Sequence, residues 1–149
     1  MKPLFAIATI AAGLACAPAY AMTDAECAAA WKKADANSDG TVTEAEGGRY
    51  FAALRIADKA TTDGKLSNAA FLDHCKVGVF NLTKTDVGAP LSGANSFTET
   101  QAKDRLLAAG YINVSALAKD NNGVWRGTSS DGGKSMKVAV DFKGNVVAN

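Results

Sequence analysis

The chain has 149 residues, with 16 Lys and Arg against 15 Asp and Glu, for a formal net charge of +1. That length holds one domain or two small ones. No basic block or arginine stripe appears, so the charge pattern that nucleic-acid binding requires is missing.

The first segment is Met1-Lys2-Pro3, an apolar run from Leu4 to Leu14, then Ala19-Tyr20-Ala21. A charged start, a short apolar stretch and an A-x-A site form the pattern of a cleaved export signal over residues 1–21. The run is too short to span a bilayer. A lipid anchor on Cys16 is the rival reading, weakened by Gly13 where such signals usually carry Leu. The mature chain is expected to begin near Met22 and to reach a bacterial periplasm or the exterior. It would then carry 15 basic and 15 acidic residues. Two of the three cysteines, Cys27 and Cys75, would remain. An oxidising compartment favours a bridge between them, with a pair of buried thiols as the alternative.

Thr23-Asp24-Ala25-Glu26 is a capping box, and the spacing predicts a helix from there to about Ala34. Residues 35 to 46 then read Asp35-Ala36-Asn37-Ser38-Asp39-Gly40-Thr41-Val42-Thr43-Glu44-Ala45-Glu46. Side-chain oxygens stand at loop positions 1, 3, 5 and 9 (Asp35, Asn37, Asp39 and Thr43). Glu46 stands at position 12, where a bidentate ligand is needed. Gly40 serves the turn at position 6, and Thr41 at 7 offers its backbone carbonyl. Calcium takes six to eight oxygens, so this is a calcium loop by chemistry. An ordinary Asx-rich turn would not meet so many constraints together. Val42 at position 8 can point inward and pair with a second loop. After the loop, Tyr50 and Phe51 take core-facing offsets of an exit helix, as Trp31 and Ala34 do before it. Gly47-Gly48 interrupts that helix, either as a hinge or to relieve crowding.

A second loop frame follows 24 residues later: Gly64 echoes Gly40 and Leu66 echoes Val42. Its ligands are mostly gone, with Lys59 at position 1, Thr61 at 3 and Ala70 at 12. Only Asp63 and Ser67 remain. This half is expected to supply the Leu66 strand and no ion. Residues 23 to 78 resemble the paired EF-hand modules of secreted bacterial proteins. The resemblance implies that the first and last helices lie side by side, which would bring Cys27 and Cys75 within bridging reach.

Residues 79 to 95 are punctuated by Gly, Pro, Ser and Asn without helical or strand period and read as a linker. A second capping box, Thr98-Glu99-Thr100-Gln101, opens a helix whose Ala102, Leu106 and Ala109 share a face and which stops at Gly110. Strand-like runs follow at 111 to 119, 124 to 129 and 136 to 142, with turns at Asn122-Gly123, Asp131-Gly132-Gly133 and Lys143-Gly144. A last short strand covers Val146 to Ala148. In the third run Met136, Val138, Val140 and Phe142 form an inner face, with Lys137 and Asp141 opposite. Trp125 is read as a core anchor.

The segments Ser96-Phe97-Thr98-Glu99, Ala109-Gly110-Tyr111-Ile112-Asn113-Val114, Val124-Trp125-Arg126-Gly127 and Val138 to Val146 resemble the PepSY domains of peptidase propeptides and small envelope proteins. That likeness implies one helix laid on a three- or four-stranded antiparallel meander.

Catalytic chemistry has little to work with. The single histidine, His74, adjoins Cys75, but neighbours on a helix diverge by roughly 100° and cannot form a dyad. One His and two Cys are too few for a zinc site. The expected fold is therefore α+β: a signal (1–21), an all-α EF-hand-like pair (22–78), a linker (79–95) and a PepSY-like α+β domain (96–149). The expected function is that of an exported, non-enzymatic protein binding one Ca²⁺ through Asp35, Asn37, Asp39, Thr41, Thr43 and Glu46, with an envelope protein or peptidase as candidate partner. The alternative is a peptidase inhibitor or chaperone-like module acting through the second half, with calcium only structural. No nucleic acid and no membrane span are expected.

Overall fold

The computed structural model of the chain describes residues 21–81, 88–131 and 133–148. The expected signal residues and Cys16 lie outside these, apart from Ala21. The fold is α+β, with helices α1 (Asp24–Ala34), α2 (Glu44–Ile56), α3 (Asn68–Lys76) and α4 (Glu99–Ala108) and two antiparallel sheets. No helix among the described residues is long and apolar enough to cross a membrane.

The first unit is built around two paired loops. Strands β1 (Thr41–Thr43) and β2 (Lys65–Ser67) run antiparallel with Val42 opposite Leu66, and both side chains are 0% exposed. Thr23 begins α1 through the expected box: Glu26 N donates to Thr23 Oγ1 at 3.3 Å, and Thr23 N donates to Glu26 Oε2 at 2.8 Å. Helix α1 packs along α3, and a disulfide joins Cys27 of the one to Cys75 of the other, with Cα atoms 5.8 Å apart. Phe71 sits at the centre of the core, edge-on to Tyr50 at 4.8 Å and to Trp31 at 5.4 Å. Phe80, in the stretch read as a linker, is buried against Phe71 at 4.9 Å and belongs to this core. Residues 82–87 of that stretch lie outside the described residues.

The second unit is α4 over a four-stranded meander of β3 (Ala118–Lys119), β4 (Trp125–Asp131), β5 (Lys134–Val140) and β6 (Val146–Ala148), in that order. Ala102, Leu106 and Ala109 pack with Val138, Val140 and Val146. Trp125 is half-buried against this core, and its indole Nε1 donates to the Phe97 carbonyl at 3.1 Å.

Two expectations are corrected here. The run 111 to 119 is a strand only at Ala118–Lys119. Upstream, Ile112 makes an isolated bridge to Ser130 and is 52% exposed. Asn113 turns to φ +53° after that bridge and breaks the alternation, so the core contacts come from Tyr111, Leu117 and the partly buried Val114. Asp141, expected on the outer face, is 0% exposed. The strand ends at Val140, and the turn that follows folds the carboxylate inward. There it accepts from the amides of Leu91 (3.2 Å), Lys143 (2.9 Å) and Asn145 (3.0 Å) and from Asn145 Nδ2 (2.9 Å).

Helix α4 belongs to both units. Its Ala102, Leu106 and Ala109 face the sheet, while Ala108 and Leu107 enter the helical core against α2. Asp104, on the α2 side, is 6% exposed and receives the Arg55 guanidinium. Nε lies 3.0 Å from both carboxylate oxygens, and Nη2 lies 2.7 Å from Oδ1.

Candidate metal centre

The loop 35–46 is shaped by backbone that only certain residues tolerate. Gly40 has φ +84°, where a side chain would be strained, and this turn aims the preceding carboxylates back over the loop. Asp35 is buried, and its Oδ1 and Oδ2 accept from the amides of Asp39 (3.1 Å) and Gly40 (3.2 Å). Asn37 Oδ1 accepts from Asp39 N at 3.0 Å, and its Nδ2 donates to Asp39 Oδ2 at 3.0 Å. Asp39 Oδ1 takes the amide and hydroxyl of Thr41 at 2.8 and 2.9 Å. These contacts hold the Asp39 carboxyl below its ordinary pKa. The Thr41 amide is the largest cause, followed by the Thr41 hydroxyl and Asn37.

Asp35, Asn37 and Asp39 are thus linked by one set of hydrogen bonds. Glu46 is not part of it. Its Oε2 accepts from the amide (3.0 Å) and hydroxyl (2.8 Å) of Thr43, closing a capping box at the start of α2. Among the described residues no group of three or more His, Cys, Asp or Glu side chains stands together as a metal site. The engagement of Glu46 with Thr43 is a physical reason: the position-12 carboxylate is serving the helix end.

The donor set nonetheless fits a hard cation. It offers three carboxylates, one amide oxygen, one hydroxyl and one backbone carbonyl, with no nitrogen or sulfur ligand. Asp35, Asn37, Asp39, the Thr41 carbonyl, Thr43 and Glu46 would hold the ion, which would supply a positive charge fixing the loop to α2. Thr43 engages only the Oε2 of Glu46, whereas bidentate binding would call on both of its oxygens.

The second loop keeps the frame without the ligands. Asp63 Oδ1 is spent on the Lys65 amide at 3.1 Å, and Ser67 caps α3 by accepting from Ala70 N at 3.4 Å. The Thr61 hydroxyl is buried with no partner. Lys65 also adds a positive charge near Asp39 across the β1–β2 pair. His74 packs edge-on to Phe80, and its pKa is lowered by burial first and then by Lys59. The Cys75 sulfur beside it is bonded to Cys27.

Gly47 answers the choice left open by the sequence. A Cβ there would lie 2.4 Å from Val42 Cγ1, and its backbone (φ −122°, ψ 35°) leaves the helical region. A side chain at this position would have to displace Val42 of β1. A Cβ on Gly48 would meet nothing within 4 Å.

The Glu44–Arg55–Asp104 chain could not be read from the sequence. Glu44, at position 10 of the loop, accepts from Arg55 Nη1 at 2.8 Å. Glu44 and Arg55 are three helical turns apart on α2 and so share a face, but nothing local marks Asp104 as their partner, 49 residues beyond Arg55. Comparison with protein-family models, with curated proteins and with solved structures gave no match.

Proposed function

We propose that the chain is an exported calcium-binding protein without enzymatic activity, in which loop 35–46 takes one Ca²⁺ and the α4–sheet unit offers a surface to an envelope partner. The reading rests on one observation above others. Oxygen donors at the sequence spacing of a calcium loop lie on a segment held in register by the buried Val42–Leu66 pair. The disulfide supports export, because such bonds persist in oxidising compartments. The EF-hand and PepSY resemblances supply the family context.

A second reading gives calcium a purely structural role, with a peptidase-inhibitor or chaperone-like activity in the second unit. The clamp between α1 and α3 and the lost ligands of the second loop favour it, since both oppose a wide opening of the helix pair.

Calorimetric titration with calcium chloride tests the first step. One site per chain is expected, with a dissociation constant of ~10⁻⁴–10⁻³ M. Glu46→Gln should abolish binding while preserving the α2 cap, because Gln also serves at that capping position. Asp35→Ala should abolish it too, and Asp63→Ala should not. No heat with the wild-type chain, or two sites of equal strength, overturns the proposal. Amide exchange with and without calcium then separates the readings. Protection confined to residues 21–81 and α4 marks a stabiliser, whereas changes across β4 and β5 mark a switch.

A further inference from the structure

A hollow of about 330 Å³ opens beside the helical core, and none of the loop's oxygen ligands lines it. Its apolar lining includes Met22, Ala30, Tyr50 and Phe80, with the Tyr50 and Phe80 rings edge-on at 5.0 Å. Lys33 from α1 and Arg49 from α2 border it. Neither is in an ion pair among the described residues. The Arg49 guanidinium lies 5.4 Å from the centre of the Tyr50 ring. The Tyr50 hydroxyl has no hydrogen-bond partner among the described residues. Burial raises its pKa, so it is a donor at neutral pH.

The nearby carboxylates are already engaged. Glu26, on the border, accepts from the amide and hydroxyl of Thr23, both at 2.8 Å. An adjoining groove shares Lys33, Arg49 and Tyr50 with Glu44 and Glu46. Glu44 is held by Arg55 and Glu46 by Thr43. Two cations and a phenol donor therefore border an apolar hollow that Glu26 alone lines with a carboxylate among the described residues, which leaves its rim net positive. The volume falls at the lower end of small-ligand cavities, which span about 300–1,000 Å³ and combine apolar walls with a few convergent polar groups.

We propose that this hollow binds a small amphipathic organic anion, with its apolar body against Met22, Ala30, Tyr50 and Phe80 and its carboxylate or sulfonate head between Lys33 and Arg49. The cations choose the sign of the ligand, and the aromatic walls choose its body. The probes are titrated in calcium-free buffer, so the test is independent of the metal reading.

The test compares two fluorescent probes of nearly the same shape. 1-Anilinonaphthalene-8-sulfonate carries the anionic head, and N-phenyl-1-naphthylamine lacks it. The wild-type chain should bind one molecule of the sulfonate. Lys33→Gln/Arg49→Gln, two changes at exposed positions, should weaken the sulfonate about tenfold, or about 1.4 kcal/mol. The neutral probe should stay within about twofold. Ala29→Trp, at an exposed lining position, should block both probes while the far-ultraviolet circular dichroism stays that of the native chain. Absence of sulfonate binding, equal loss of both probes in the double variant, or full binding in Ala29→Trp would each overturn the assignment.

Discussion

Replacing Arg55 with Met should test whether the two units form one cooperative structure. The aliphatic stem is kept, and only the guanidinium is lost. In the native fold that group gives three contacts of 2.7–3.0 Å to Asp104 and one of 2.8 Å to Glu44. Hydrogen bonding to Asp104 holds the Arg55 pKa even higher than usual, so the guanidinium stays charged throughout the neutral range. Without Arg55, the Asp104 carboxylate is left nearly buried against α2 with its main partner gone. Stranding one member of a buried pair costs about 3–5 kcal/mol. The Arg55 side chain is itself 32% exposed, so water can reach the site after the change, and the lower figure of about 3 kcal/mol is expected. That corresponds to a fall of roughly 10 °C in Tm for a chain of this size. Arg55→Met/Asp104→Leu should recover to within about 1 kcal/mol of wild type, because the charge and its desolvation are removed together. Urea unfolding followed by circular dichroism measures both. A loss below about 1 kcal/mol in the single variant, a double variant as unstable as the single, or two separate transitions in the wild type would refute the reasoning.

Three further outcomes follow from particular contacts. Burial pushes the Asp141 pKa upward, but hydrogen bonds from the Asn145 side chain and from the Leu91, Asn145 and Lys143 amides outweigh it and leave it lowered. A lowered carboxylate contributes its stability above the unfolded pKa of about 3.9 and loses it as pH falls through the folded value. Asp141→Asn should therefore lose about 2–4 kcal/mol at pH 7, from two donors left facing an amide, and should show a flatter fall in stability below about pH 4 in acid titration. Gly47→Ala should destabilise by about 1–3 kcal/mol through the clash with Val42, while Gly48→Ala should stabilise by up to about 1 kcal/mol, both read by thermal melting. Reducing the Cys27–Cys75 bond, which spans 48 positions, should remove about 4 kcal/mol in the chain-entropy account, and alkylation of the native, unreduced protein should find neither thiol.

The sequence alone was enough for whatever depends on near neighbours. The capping boxes at Thr23 and Thr98 are present as read, because the partners of a helix end lie three residues away. The Val42–Leu66 pairing was legible from the 24-residue echo between loops, and the meander from its turns, since a tight hairpin sets its own register. The same locality misled at 111 to 119 and at Asp141. Alternation implies a strand only where the backbone stays extended, and Asn113 turns to φ +53° between the Ile112–Ser130 bridge and β3; a carboxylate faces water only when no amides converge on it. Tertiary structure alone decided that Phe80 leaves the apparent linker for the helical core, that α4 serves two cores, and that Arg55 finds Asp104. These outcomes turn on which groups meet across long stretches of chain. That is settled by packing and by the need to satisfy buried polar atoms, and residue spacing does not encode either one.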